Sequence, residues 1–247
     1  MKKLFAIFAL FVLISSAFCQ IKTGSDIPNA DFEIWDSLVK FTPKFWPFQL
    51  NASEVPDSYG GNFACKLIND TVQGSPGVIM YGQTSDGINF TGGTPYSQRP
   101  DSVEAYIKYS IAPNDTAYML AYFKKTGFPV SYLNMIPLAS GTDTSAFQLF
   151  KAKINWAVPV ILPDSVIFAV ISTSPNSMDS IPGSNVLIVD DIIFKGTSIT
   201  QQLPNNDFEL ADTTIFYSPQ GWYVDSENMI PGFPHPVEKT TDTSSGN

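Results

Sequence analysis

Along most of this chain apolar residues recur at every second position rather than every 3.6. In SVEAYIKYSI, residues 102–111, Val103, Ala105, Ile107 and Tyr109 share one face of an extended chain. Glu104, Tyr106, Lys108 and Ser110 share the other, which is the alternation of a half-buried strand. DFEIW, FWPFQL, FACKLI, GVIMYG, AYMLAYF, AFQLFKAKI, SVIFAVIST and NVLIVDDIIF are further strand candidates, punctuated by Pro, Gly, Asn-Asp and Asp-Ser turns. No window carries a convincing amphipathic helix. Short strands joined by such turns predict an all-β, antiparallel β-sandwich, a jelly roll. SVIFAVIST is apolar on both faces, so it belongs at the centre of a sheet, its second side covered by a loop or neighbouring strand.

The chain writes one line twice: IPNADFEIWD at 27–36 and LPNNDFELAD at 203–212. Trp222 follows the second much as Trp46 follows the first. This spacing predicts that each line opens a sandwich and that the second is cut short, since fewer than 50 residues follow it and a pair of strands cannot bury a hydrophobic face alone. The expected organisation is a signal peptide at 1–19, a carbohydrate-binding-like sandwich at 20–198, and the truncated start of a similar domain at 199–247.

MKKLFAIFALFVLISSAFC places two lysines before an apolar run and small residues, the layout of a secretory signal. Its removal takes 14 basic residues to 12 against 23 acids, so the net charge moves from −9 to −11. So acidic a surface repels phosphate and argues against nucleic acid and anionic lipid. The expected location is secreted or cell-surface, with no direct membrane insertion after cleavage. Cys65 is then the only cysteine, which excludes an intrachain disulfide; between apolar neighbours it reads as a small core residue.

Enzyme constellations are sparse. The single histidine, His235, lies outside the complete domain, so neither a Ser-His-Asp triad nor an ordinary zinc site can be assembled there. Acids are numerous, but Asp101, Asp115, Asp164 and Asp179 each precede Ser or Thr at turn positions, where an Asx turn or solvated loop is the ordinary explanation. The metal candidates are Asp31 and Glu33 on the first expected strand with Asp190 and Asp191 on the last. Consecutive acids in a run as apolar as LIVDDIIF are costly to bury unless paired or metal-bound. If the first and last strands are neighbours, these carboxylates and carbonyls of the DSYGGN turn supply the oxygen ligands calcium prefers. The competing reading is that one Asp faces water and Glu33 is an exposed neighbour of core Phe32.

A sugar needs flat aromatics with polar groups beside them. Trp46, Tyr96, Tyr106 and Trp156 are the candidates, with Trp35 as a further aromatic and Arg99 of PYSQRP as polar partner. Core packing is the alternative for each aromatic, and a loop-bracing role for Arg99.

NADFEIWD, NFACKL, GINFTGGTPYSQRPDSVEAYIKY, PDSVIFAVISTS and GSNVLIVDDIIF, taken in order, resemble the putative carbohydrate metabolism domain of Bacteroidetes secreted proteins and, more loosely, jelly-roll carbohydrate-binding modules. The likeness spans roughly residues 27–196. It implies a galactose-binding-like jelly roll in a glycan context, with a structural calcium held by positions matching Glu33, Asp190 and Asp191. Several Asp-Ser/Thr-apolar tripeptides also resemble the sites where Bacteroidetes attach O-glycans to exported proteins.

The functional expectation is a secreted, non-catalytic, monomeric module of a longer chain that binds carbohydrate and carries structural calcium. The alternatives are a structural or adhesive spacer and a glycoside-processing enzyme.

Overall fold

The structure is a computed structural model that describes residues 32–84, 90–177 and 181–220. Among them the chain forms sixteen strands: β1 (Trp35–Pro43), β2 (Phe48–Leu50), β3 (Ala52–Val55), β4 (Ala64–Ile68), β5 (Val78–Tyr81), β6 (Gln83–Thr84), β7 (Phe90–Thr91), β8 (Thr94–Pro95), β9 (Ser102–Ser110), β10 (Ala117–Lys125), β11 (Phe128–Pro129), β12 (Asn134–Ala139), β13 (Thr142–Lys153), β14 (Ser165–Ile171), β15 (Val186–Lys195) and β16 (Ala211–Pro219). The only helix among the described residues is one 3₁₀ turn, Pro175–Ser177. Residues 39–216 belong to one compact unit, and residues 32–38 and 217–220 to a second.

The larger unit is an antiparallel sandwich, as the period-two pattern predicts. One sheet runs β13-β9-β15-β4-β3; the other runs β11-β10-β14-β5-β2, with β12 also paired to β10 and β8 to β14. Residues from both sheets share one hydrophobic core, from Cys65, Leu67, Ala105, Val189 and Phe194 on the first to Ile79, Met119, Phe123 and Phe168 on the second. Phe168 and Phe194 meet edge to face across it, ring centroids 5.7 Å apart, a geometry that adds to plain burial. Strand β9 alternates as its sequence requires, with Val103, Ala105 and Ile107 buried and Glu104, Tyr106 and Lys108 half-buried.

Strand β14 lies between β10 and β5, as its two apolar faces predict. Its second face has its own small core, Val78, Met80, Leu120, Ile167, Ala169 and Ile171, covered by Phe48, Leu50, Phe90, Tyr122 and Met135. The ends of the sheets are tied by a buried polar hub. Asp115 accepts hydrogen bonds from Ser174 N (2.9 Å), Thr116 N (2.8 Å), Asn185 Nδ2 (2.7 Å) and the Thr173 hydroxyl. Burial alone would raise its carboxyl, but these donors more than offset that and hold it below the ordinary range.

Three expectations are corrected. Residues 32–34 of DFEIW form no strand, because β1 starts only at Trp35 and Phe32 sits in the left-handed region at φ 58°. The first and last strands of the sandwich are not neighbours either, since β15 is flanked by β9 and β4 while β1 pairs with β16 in a separate ribbon. Lastly, no structural border falls at residue 198: Leu203 and Phe208 of the second line are buried in the sandwich core. There Phe208 stacks on Trp46 with centroids 5.6 Å apart. The physical reason is that an otherwise exposed Trp46–Tyr81–Phe168 surface gains an apolar cover from this segment.

Candidate functional site

The outer face of the five-stranded sheet, carried by β9, β13 and β15, holds the most distinctive surface chemistry. Its construction begins with a β-bulge. Asp190 pairs with Tyr106 and Ile193 with Glu104, so β15 carries one extra residue between them, and Asp191 takes up the difference at φ 47°. The extra residue restores the alternation after two consecutive acids: Asp190 shares the outer face with its partner Tyr106 and is fully buried there beneath residues 59–60, while Asp191 is only half-buried.

Asp190 is an anchor. Its Oδ2 accepts hydrogen bonds from the backbone N–H of Tyr59 (2.7 Å) and Gly60 (3.1 Å), and its Oδ1 from that of Asp191 (2.8 Å). Burial pushes its carboxyl up to about 6 against the pull of those donors, with Asp191 adding repulsion. Residues 57–63 are therefore strapped to the bulge. A Cβ at Gly60 would stand 3.0 Å from Asp191 Oδ2. Gly61, at φ 62°, has no room for one beside the Glu209 carboxylate.

The strap lays the Tyr59 ring on that of Tyr106, nearly parallel at 8° with centroids 3.3 Å apart. Phe147 of β13 meets Tyr59 edge-on at 6.2 Å. Lys108 lies 4.6 Å from the centre of the Phe147 ring and pairs with Asp57 at 2.6 Å. Tyr59 is half exposed, so the stack presents an aromatic surface to solvent with a charged pair at its margin. The hydrogen bond with the Tyr59 hydroxyl pushes the Tyr106 phenol above its ordinary value.

A second strap runs beside the first. Glu209 accepts from Asn62 N (2.8 Å), Phe63 N (2.9 Å) and Asn62 Nδ2 (3.0 Å). Burial works to raise its carboxyl, but these donors prevail and hold it low. Asp191 is raised by burial and by the neighbouring charges of Asp207 and Glu209. The acids that approach Asp191 in the sandwich thus come from the second line, where Asp207 and Glu209 match Asp31 and Glu33 of the first. Asp31 lies outside the described residues, and Glu33 is exposed and belongs to the smaller unit.

Two of these carboxylates are already engaged by N–H donors. Among the described residues no three or more of His, Cys, Asp and Glu are arranged to hold a metal ion. Asp190 Oδ2 and Glu209 Oε1 each face two N–H donors, where a cation would meet positive hydrogen. Glu54 Oε2 is buried without a hydrogen-bond partner, and burial with the charge of Glu209 raises that carboxyl toward its neutral form.

Of the aromatics chosen from sequence, only Tyr106 stands on this face. Trp46 is a core residue whose Nε1 donates to Asn205 O (3.2 Å). Tyr96 is likewise buried, its hydroxyl donating to Gln201 O (3.2 Å) although its surroundings read as loop. Trp156 packs against the core and donates to Pro100 O (2.9 Å). Arg99 stacks 4.0 Å from the centre of the Trp156 ring and donates to Val158 O and Ile161 O, the bracing role. Tyr59 and Phe147 were missed; the signal for Tyr59 was its place in DSYGGN, the turn already singled out for carbonyls. Asp115 was read as a turn residue and is the buried hub.

No family model matches this chain, and no curated protein matches it. Among solved structures, a family 16 carbohydrate binding module-2 overlaps 60% of this chain and 86% of its own, at 13% identity and a TM-score of 0.39. A putative glycoside hydrolase from Bacteroides thetaiotaomicron overlaps 59% of this chain and 57% of its own, at 14% identity and 0.40. The C-terminal CBM6 of the laminarinase LamC from Zobellia galactanivorans overlaps 63% and 100%, at 13% and 0.31. Scores this low assign no ligand. No helix of the described residues is long and apolar enough to cross a membrane.

Proposed function

We propose that the outer face of the five-stranded sheet binds a neutral carbohydrate, with the Tyr59–Tyr106 stack as the platform for the apolar C–H face of a sugar ring. The observation that carries this reading is Tyr59, half exposed yet held flat on Tyr106 by the Asp190 strap. A surface aromatic fixed in one orientation loses little entropy on binding. Asp57 and Lys108 lie at its margin as acceptor and donor for hydroxyls. The net charge of −9 disfavours a polyanionic glycan. On this reading the module is non-catalytic and exported by residues 1–19, and Asp115 and Asp190 keep their carboxylates for structural hydrogen bonds.

Polysaccharide affinity gels and a glycan array test the reading with Tyr59→Ala beside the unaltered chain. Expected is a loss of about tenfold or more in affinity, equivalent to about 1.4 kcal/mol, with a melting temperature lowered by only a few degrees, because the half-exposed Tyr59 ring loses a single stack worth about 1 kcal/mol. Retention by no neutral glycan, or equal retention of both proteins, refutes it.

A second reading rests on a different surface. The segments 128–133 and 156–162 lie side by side, joined by Ala157 N and Val158 N to Val130 O (both 3.1 Å) and Tyr132 N to Asn155 O (3.1 Å). They expose Phe128, Tyr132, Leu133, Val160, Ile161 and Leu162. An apolar knuckle of this kind suits a spacer module that contacts protein. A knuckle variant that lowers self-association or partner capture while glycan affinity holds would favour it.

A further inference from the structure

The Tyr59–Tyr106 stack has a geometry that sugar binding does not require. Two aromatic rings left to themselves slide into an offset stack or turn edge to face, because a centred sandwich sets their negative faces against each other. Here the ring centroids are only 3.3 Å apart at an interplanar angle of 8°, so one ring lies almost directly over the other. A hydrogen bond also joins the two phenol groups, which puts both hydroxyls at the same end of the stack. The ring carbons ortho to one hydroxyl therefore lie over those ortho to the other, at a separation close to that of the ring planes.

The arrangement is held by groups outside the rings. Tyr59 N and Gly60 N both donate to Asp190 Oδ2 (2.7 and 3.1 Å), and Tyr106 is fixed in β9 directly opposite Asp190. Phe147 meets Tyr59 edge-on, with centroids 6.2 Å apart, and carries no hydroxyl. Among the described residues the stack is the one tyrosine–tyrosine ring contact. It also has an entry point, since Tyr59 is half exposed while Tyr106 lies half-buried beneath it.

We propose that Tyr59 and Tyr106 form an oxidative cross-linking site, at which a one-electron oxidant of the peroxidase class joins the two rings as a dityrosine. The oxidant takes an electron from exposed Tyr59, whose phenolic proton goes to water. Through the hydrogen bond Tyr106 then passes its hydroxyl hydrogen to the Tyr59 oxygen, which moves the radical inward and leaves Tyr59 a phenol again. A second one-electron oxidation of Tyr59 gives two facing phenoxyl radicals. Phenoxyl radicals carry much of their unpaired density at the ortho carbons. A carbon–carbon bond forms there, between atoms already within the roughly 3–3.5 Å of a near-attack geometry. One proton leaves each joined carbon and one returns to each oxygen, restoring both phenols. The balance is two tyrosines and one hydrogen peroxide to one dityrosine and two waters, so the chain loses two hydrogen atoms. The product ties residues 57–63 to β9 covalently. The site stands whether or not a sugar rests on Tyr59.

The test exposes the full chain, with Tyr59→Phe and Tyr106→Phe beside it, to a peroxidase and hydrogen peroxide at high dilution, where collisions between chains are rare. Both variants keep the ring and remove only the phenol. Expected for the unaltered chain is a monomer two hydrogen atoms lighter by intact mass, with dityrosine fluorescence and one linked peptide pair that maps to Tyr59 and Tyr106. Its melting temperature rises, because the link restricts the unfolded chain. Either variant loses this product entirely, while oxidation of exposed Tyr132 proceeds in all three chains and shows that the oxidant is active. A monomer of unchanged mass beside oxidised Tyr132 overturns the proposal. So does an equal yield in either variant, or a link that maps to other tyrosines or forms only between chains. If a variant fails to fold, the mapped peptides of the unaltered chain decide alone.

Discussion

The Asp190 strap makes a prediction whose sign separates it from a metal site. Buried Asp190 has its carboxyl pushed up to about 6, against about 3.9 in an unfolded chain. Between those values the native state binds a proton that the unfolded state does not. Stability therefore rises as pH falls through about 6 and the gain is complete below about 4. Two units are worth about 3 kcal/mol at most, and the loop over the carboxyl is partly solvated, so we take about 1–3 kcal/mol. For a domain of this size that is roughly 2–10 °C in melting temperature. Asp115 and Glu209, both held low, act in the opposite direction, so the raw curve mixes signs. The difference between the unaltered chain and Asp190→Asn isolates Asp190, because the amide cannot titrate. Melting both by differential scanning fluorimetry from pH 7 to pH 4 should show the unaltered chain gaining on the variant. A flat difference refutes the burial argument. A reversed slope, stability lost as pH falls, is the signature of a carboxylate held low by a cation and would favour calcium.

Other outcomes follow from the same geometry. Asp115→Ala, which leaves four donors without their acceptor, should cost about 2–4 kcal/mol in urea unfolding at neutral pH. The Asp115 contribution should itself be present above pH 4 and fade as the medium is acidified below it, because its folded value lies under the unfolded one. Chelation by EDTA should leave the melting temperature unchanged, since Asp190 and Glu209 are paired with N–H groups; a drop reversed by added calcium would contradict that pairing. Cys65 is fully buried and burial drives its thiol upward, so a thiol reagent should label it only at the rate of global unfolding.

The fold class was legible because period-two alternation is a local signal, which β9 obeys from Ser102 to Lys108, while the continuous apolar run of β14 marked a strand buried on both faces. The site was half legible, and the reason lies in the bulge. Asp190 and Asp191 announced themselves as costly acids in an apolar run, and the structure gives Asp190 three N–H donors while Asp191 stays half-buried beside Asp207 and Glu209. Chemistry alone cannot tell whether a buried carboxylate is met by a cation or by N–H groups; that depends on a one-residue shift of register that no alternation pattern encodes. The DSYGGN turn was chosen for its carbonyls, yet the same glycines let the chain offer its N–H groups at Tyr59 and Gly60. Tyr96 and Trp156 failed as surface aromatics because their polar tips reach backbone carbonyls inside the fold, which makes a buried Tyr or Trp inexpensive. The repeated line was the strongest long-range signal, and sequence assigned it to two bodies. Chain order said that a second copy opens a second domain. Burial decided otherwise, because Leu203 and Phe208 of the second copy complete the core around Trp46, and chain order carries no information about which surface a segment will cover.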